Sequence, residues 1–512
     1  MPSKKVSNHW ATPSVVALIV LFGLIALLRF FSLDARTIHI DEGMALRYAH
    51  MMLNGEWRYN PFNSHGPIFF YLGSVIYSLF GDSIVHARAV MSSISIVWLL
   101  VLLWGYWPLL KTPGRLLLVA GLGFSSGMTY FARNLILEHI FIFFTVSALL
   151  AAELWVQRRD KNAPALFVIL CILMYVTKET ALLTWAAWFG ASVIMLINPK
   201  RLSLLTDIPW KSVVIGLVVG LFMYTMLFTL FFDDPGAFVK SILGPFRWYE
   251  RSQAFHVRPA QYYFNLLWMN EFPLFFGALL LGGLLTARKK WTPRLKFFAL
   301  WTVFVTTTYS LVQYKTPWLV PNFILPMGLF VAFAFDALLQ RKEKLRVLLI
   351  TIMTLLLSMG FINAWLDSIG HPDRWNTYDY AYLQSDHHLR RFIQTLEDLN
   401  MLYEGDKPMP LQKIGKPDEL LYVLTKPYRA YEPHEPFKPN LPVYINYLHS
   451  DEKMREMLEP SEKKYIRSFY LYMPDWNVIV DLFVEEELWN RYLVEVAHEE
   501  ILPGENPVYE YQ

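Results

Sequence analysis

Acids, cations and aromatic residues recur together in five separated stretches of this chain, each beside a long apolar run. The first stretch reads DARTIHIDEGMALRYAHMMLNGEWRYNPFNSHGP. It carries the adjacent acids Asp41 and Glu42 and, further on, His65 ahead of Gly66-Pro67. A carboxylate near a low-dielectric surface holds its proton more tightly, which suits a general base working on a hydroxyl. Asp41 also has a structural use, capping a helix over 43–53 with Glu42 near the helix's positive end, and the two uses are compatible.

The remaining stretches add cations and further acids. Arg88 lies in HARAV, and Arg133 is followed by Glu138 and His139 at the start of the next apolar run. YVTKET supplies Lys178 and Glu179, and QYKTPW supplies Tyr314, Lys315 and Trp318. Charged residues inside hydrocarbon need a polar cavity or a partner, so Lys178 and Glu179 face one or the other. Lys315 has an alternative reading as an anchor in the membrane interface, with Trp318 in an aromatic belt. The segment 233–262 gathers Arg247, Trp248, Tyr249, Glu250, Arg251, His256 and Arg258. Guanidinium groups match phosphate oxygens, and aromatic faces suit a pyranose ring; an amphipathic interfacial helix has the same composition.

The elements that position these residues are set by composition. The chain has 512 residues, 54% hydrophobic and only 17% charged, with mean hydropathy +0.30. A soluble domain averages about 25% charged residues, and 18 Trp, 37 Phe and 28 Tyr are too many aromatics for a disordered or collagenous chain. The single cysteine, Cys171, excludes an intramolecular disulfide and a cysteine-based zinc site. Residues 367–512 hold 27 of the 43 acids and 15 of the 46 bases, a net −12, which leaves +15 on the first 366.

Eleven apolar runs approach the length of a bilayer crossing, near 14–31, 89–110, 116–131, 136–155, 164–176, 181–197, 213–232, 266–285, 297–311, 319–339 and 347–365. The first follows Lys4 and Lys5 and reads as a retained anchor rather than a signal peptide. The positive-inside rule puts Lys111/Arg115, Arg158/Arg159/Lys161, Lys200/Arg201, the 288–296 cluster and the 341–346 cluster in the cytoplasm. PIFFYLGSVIYSLF, residues 67–80, is too short to cross without breaking that rule and reads as interfacial or re-entrant. All five chemistry-bearing stretches then fall on the outer face. The expected architecture is an α-helical polytopic membrane domain over 1–366, followed by an extracytoplasmic α+β domain over 367–512. Strand-like runs at 420–424, 442–448, 465–472 and 476–483 and helical runs at 386–399 and 485–494 support the second.

The order HIDEG, HGPIFFYL, FGDSIVHARAV and YFARNLILEHIF resembles the GT-C superfamily. More narrowly it resembles the protein-mannosyltransferase-like branch and the lipid A aminoarabinose transferases. YVTKET and YKTPWL are most similar to the flippase-activity-associated membrane subfamily, whose ending LYMPDWNVIVDLFVEEELWNRYL also resembles. The resemblance implies a bacterial inner-membrane glycosyltransferase that takes a sugar from a polyprenyl-phosphate carrier on the periplasmic face. The acceptor is a lipid, glycan or protein, and membrane lipids surround the site. Carried onto this chain it makes Asp41 the base and Glu42 its neighbour or substitute, with Glu138 at the position of a second acid and His65 as the histidine of HGP. Some relatives bind a divalent metal through such acids. With no evident third acid here, no metal ligand and no cofactor is assigned. The segment 233–262 follows the subfamily only loosely.

The implied reaction is a single inverting displacement, with the donor phosphate near Arg133, Lys178 or Lys315. The competing classes are a lipid-linked sugar transporter or flippase and a non-catalytic scaffold of a glycan assembly system. A transporter places its ionisable groups near the bilayer midplane in inverted repeats. Here they gather at one end of the spans and no repeat is evident. The basic residues are used in topology, and nothing points to nucleic acid.

Overall fold

The computed structural model describes residues 13–61, 64–81, 83–196, 207–252, 256–339, 343–370, 379–382, 388–415, 421, 424–447, 451–473 and 478–497. Lys4, Lys5, Lys200, Arg201, Arg341 and Lys342, which the topology argument uses, lie outside them. The chain forms two compact units, one from Met1–Leu33 and Met51–Pro372, the other from Asp34–His50 and Asp373–Gln512. The 17 residues that carry Asp41 and Glu42 therefore group with the tail.

The first unit is helical because hydrocarbon offers a peptide group no partner, and a helix satisfies its own backbone. Its elements are α1 (Pro13–Phe30), the end of α2 (Ile40–Leu53), α3 (Ile68–Phe80), α4 (Ile84–Tyr106), α5 (Thr112–Gly123), α6 (Ser126–Ala132), α7 (Glu138–Arg158) and α8 (Ala163–Thr177). They continue with α9 (Ala181–Leu196), α10 (Trp210–Phe228), α11 (Gly236–Ser252), α12 (Tyr262–Met269), α13 (Phe272–Ala287), α14 (Pro293–Leu311), α15 (Pro321–Leu338) and α16 (Glu343–Trp365). Among the described residues five helices are by themselves long and apolar enough to cross a membrane, and six if α12 and α13 count as one broken span.

Two expected spans are not single helices. The run 116–131 splits into α5 and α6, because Ser125 takes an extended conformation and its hydroxyl accepts from the Met128 amide at 3.2 Å, capping a new helix. The run 266–285 splits at Asn270-Glu271 with a bend of 97° between α12 and α13. There Pro273 opens the second helix, and the buried Glu271 carboxylate accepts from the Gly127 amide at 2.5 Å. The second break thus supplies a carboxylate that satisfies backbone at the first.

Helix α15 is the centre of the unit. Its 18-residue apolar window is wholly buried, and α5, α13 and α14 pack around it. At its far end Asp336 accepts from the Lys111 amide at 2.7 Å, capping α5 from another helix. Helix α8 lies between α7 and α10. At Gly216 of α10 a Cβ would come within 2.7 Å of the Ala165 carbonyl oxygen, so these backbones touch through a residue with no side chain.

The second unit holds a five-stranded sheet in the order β2-β1-β3-β5-β4. The strands are β1 (Pro410–Gly415), β2 (Arg429–Tyr431), β3 (Val443–Tyr447), β4 (Tyr465–Met473) and β5 (Val478–Glu485). β1 pairs in parallel with β2 and β3, and β5 runs antiparallel to β3 and β4. Helix α17 (His388–Leu402) turns Leu389, Phe392, Leu396 and Leu399 inward at helical spacing, and Phe392 meets Tyr470 edge-on at 5.4 Å. Ile414, Tyr444, Met454 and Phe483 form a separate core cluster, with Met454 contributed by α18 (Asp451–Leu458). Helix α19 (Glu486–Tyr492) follows β5 directly.

The α+β expectation holds for this unit, with one element corrected. Of the run 420–424, Leu421 and Leu424 are helical, with the Thr425 amide donating back to the Leu421 carbonyl at 3.0 Å; its other residues lie outside the described set. Strand β1 escapes a reading by alternation because four successive residues, Leu411 to Ile414, are all buried. Substituting Gly216→Leu should force α10 off α8 and cost about 1–3 kcal/mol. A thermal midpoint equal to that of the wild type in detergent would show that the helices do not touch there.

Candidate active site

The two acids of HIDEG take different jobs. Helix α2 begins at Ile40, and His39 rather than Asp41 caps it: its Nδ1 accepts from the Asp41 amide at 3.0 Å. Glu42, fully buried, reaches back to accept from the His39 amide at 2.9 Å, completing a capping box with histidine in the usual serine position. The His39 Nε2 donates to the Tyr382 carbonyl at 3.0 Å, which fixes the tautomer that leaves Nδ1 free to accept. Glu42 is thereby committed to the backbone. The half-buried Asp41 carboxylate makes no hydrogen bond or ion pair among the described residues.

In the first unit His65, Glu179 and Tyr59 meet. His65 Nδ1 lies 2.8 Å from Glu179 Oε2, and the Tyr59 hydroxyl donates to Glu179 Oε1 at 3.4 Å. Burial, reinforced by the Glu179 charge, pushes the Tyr59 phenol far above its ordinary value, so it stays a neutral donor. Trp248 of α11 stacks on the His65 ring at 4.2 Å and 15°. One turn earlier on that helix, Gly244 faces the Tyr59 hydroxyl, which a Cβ would approach to 3.0 Å. Ser241, a further turn back, is hydrogen-bonded to Tyr224. The face bearing Ala237, Ser241, Gly244 and Trp248 thus covers the histidine–glutamate pair, while Val239, Ile242, Phe246 and Tyr249 point outward.

Gly66 allows this assembly. A Cβ on it would lie 1.9 Å from the Val176 carbonyl oxygen, so HGP lies directly against the end of α8. The next residues along, Lys178 and Glu179, form the turn into α9. Lys178 is ion-paired with Glu138 at the start of α7, both about 96–98% buried. Two oppositely directed carboxylate contacts therefore emerge from adjacent residues: Glu179 holds His65, and Lys178 holds Glu138.

A second group closes the same unit. Val257 and Tyr314 form an antiparallel bridge, with Lys315 N donating to His256 O at 3.0 Å and Arg258 N to Gln313 O at 3.3 Å. The Lys315 ammonium is turned to backbone carbonyls, those of Val312 and of Arg258, the latter at 3.1 Å. Burial lowers its proton affinity. Tyr314 connects the two groups edge-on, 6.4 Å from Trp248 and 4.9 Å from His256. His256 has φ +56° and also meets Trp318 at 6.2 Å.

The arginines are placed differently. Arg133 donates to the carbonyls of Leu28 and Ser32 at 2.9 and 2.8 Å, and Arg88 to that of Leu33 at 2.7 Å. Both therefore tie off the C-terminal end of α1, where cations suit the helix dipole. Arg247 makes a surface pair with Glu250 at 2.9 Å, an interaction worth little. The Arg251 side chain lies outside the described residues. Of the residues the sequence singles out, His65, Glu179, Tyr314, His256 and Lys315 join one continuous chain of contacts in the first unit. Gly66 of HGP belongs to it too, as do Tyr59 and Gly244, which no motif announces. Among the described residues no three His, Cys, Asp or Glu side chains converge as metal ligands would, so no step through a metal is derived.

No protein-family model and no curated protein matches the chain. Solved structures do. The crystal structure of ArnT from Cupriavidus metallidurans bound to undecaprenyl phosphate superposes with a TM-score of 0.63 at 15% identity, over 91% of this chain and 97% of that one. The apo state of the same protein gives 0.58 at 14% identity, over 92% and 98%. The chain therefore shares the fold of these structures, a largely helical unit with several apolar helices and a small C-terminal sheet.

Two outcomes test this arrangement. Lys178→Met leaves Glu138 buried and unpaired and should cost about 3–5 kcal/mol, with most of it regained in the double variant with Glu138→Gln. Equal chemical-denaturation midpoints for the wild type and the single variant would dismiss the pair. Gly66→Ala should push HGP off α8, part His65 from Glu179 and lower the thermal midpoint. A variant as stable as the wild type would contradict the close approach.

Proposed function

We propose that the protein is an integral-membrane glycosyltransferase that moves a sugar from a polyprenyl-phosphate carrier to an acceptor hydroxyl on the outer, periplasmic face. The observation that carries this reading is the likeness in fold, across nearly the whole length of both chains, to a protein that binds undecaprenyl phosphate. The division of labour in HIDEG supports the assignment of the base. Glu42 is occupied in capping α2, whereas Asp41 in the same turn keeps a carboxylate with no protein partner among the described residues.

In this reading Asp41 accepts the proton of the acceptor hydroxyl as its oxygen attacks the anomeric carbon. The bond from that carbon to the carrier phosphate breaks on the opposite face, so the configuration inverts. Negative charge then grows on the phosphate, and the residues of the first unit assigned to meet it are His65, Lys178 and Lys315. Glu179 and Trp248 fix the His65 ring in place beforehand, so no reorganisation is needed at the moment of reaction. Arg88 and Arg133 act at one remove by fastening the end of α1, from which the chain enters the loop carrying Asp41. Tyr314 and His256 offer ring faces and edges to the sugar.

The test uses purified protein in proteoliposomes with a radiolabelled polyprenyl-phosphate sugar. Asp41→Asn should lower transfer by about 10²–10⁴-fold, the range of a general base, and leave the thermal midpoint unchanged because this carboxylate has no hydrogen bond or ion pair among the described residues. Undiminished transfer by that variant refutes the base. Absence of any transfer by the wild type across carrier-linked sugars, with transbilayer movement of the carrier instead, refutes the reaction class.

A further inference from the structure

A cavity lies where the two broken helices of the first unit meet. It is bounded by α5, α13, α15 and α16, reaches both the Ser125-Ser126 and the Asn270-Glu271 breaks, and measures about 420 Å³ including its mouth, within the range of small-molecule sites. Glycines help to make it. A Cβ on Gly121 would stand 3.5 Å from Leu274, and one on Gly277 3.8 Å from Met353 and Leu356, both ordinary contact distances. At Gly216 a Cβ would collide with backbone, whereas at these two it would fit. These glycines therefore leave space in an interior that otherwise packs closely.

Its walls are of two kinds. Most are apolar, among them Leu117, Val331, Met353 and Leu357. Helix α15 on one side is wholly buried, while α16 on another has little of its length buried, so the cavity lies toward the edge of the bundle, where hydrocarbon is the solvent. The polar part is concentrated at the breaks. Ser126 is 2% exposed, and its hydroxyl has no hydrogen-bond partner, a costly state for a buried polar group. The Glu271 carboxylate accepts from the amide of the very next residue, Gly127, at 2.5 Å, which sets it beside that hydroxyl. Together they select the head of a ligand. A carboxylate repels phosphate and carboxylate, which turns away fatty acids and every phospholipid, whose phosphate stands next to its chains. A neutral hydroxyl suits both groups, since it donates to Glu271 and accepts from Ser126.

We propose that this cavity binds a neutral lipid with a free hydroxyl, a diacylglycerol, its hydroxyl between Ser126 and Glu271 and one acyl chain along the apolar walls. The site stands apart from the transfer reaction and does not rest on it, because a carrier site has to attract the phosphate that this one repels.

The full-length protein in detergent is unfolded thermally with dioleoylglycerol and, separately, with dioleoyl phosphatidate, which has the same chains and a phosphate in place of the hydroxyl. Dioleoylglycerol should raise the midpoint saturably, by about 2 °C or more, as a ligand of the folded state does, and the phosphatidate should not. Gly277→Leu, which fills the cavity, should not respond to either lipid. No rise in the wild type, equal rises with both lipids, or a rise retained by Gly277→Leu overturns the site. Should that variant fail to fold, a diacylglycerol with a photoreactive acyl chain decides on the wild type alone. Label within 117–126, 271–277 or 353–360 that excess dioleoylglycerol removes supports the site. Label confined to other segments, or undiminished by that excess, overturns it.

Discussion

Charge taken into a low-dielectric bundle has to be matched, and that requirement organises the first unit. Lys178 and Glu179 sit side by side at the turn between α8 and α9, and each is resolved by a partner from a distant part of the chain. The pairing with Glu138 sets the start of α7 against that turn, and the pairing with His65 draws the HGP loop onto it. Helix α11 then has a surface to cover, and it does so with the small residues Ser241 and Gly244 and the flat ring of Trp248. Buried pairs of this kind add little net stability over apolar packing, but removing one partner is costly, so they specify one arrangement.

The same logic separates groups that hold structure from groups left for chemistry. Glu42, Arg88 and Arg133 all hold backbone atoms of the loops and helix ends around them. Asp41 does not. The broken helices α5/α6 and α12/α13 follow a related rule: a carboxylate from one break, Glu271, satisfies an amide of the other. Interruption inside a bundle is tolerated where polar side chains take up the freed backbone groups, as Glu271 and Ser125 do at the first break.

Several corrections share one physical cause. The runs 116–131 and 266–285 look continuous in hydropathy because Ser125-Ser126 and Asn270-Glu271 are short polar pairs among apolar residues. Their effect depends on what stands opposite, which hydropathy does not record. Strand β1 is missed since a strand buried on both faces has no alternation, and Leu421 turns helical despite its apolar neighbours. Asp41 is not the cap of α2 because a histidine imidazole two residues earlier fills that role. Histidine is an uncommon cap, so its presence there carries no sequence signature.

Composition and periodicity by themselves determined a polytopic helical front, an acidic α+β tail, and the identity of His65, Glu179, Tyr314, His256 and Lys315 as residues of interest. These follow from the energetics of apolar length and from the rarity of charge beside it. Which acid pairs with which cation was decided only by the tertiary structure. Glu179 meets His65 and Tyr59 across more than a hundred residues, Gly66 is required by a backbone it touches only in three dimensions, and Arg133 turns toward α1 instead of outward. A pairing is a property of distance and burial. Neither is encoded at any single position, because both arise only when separate helices pack.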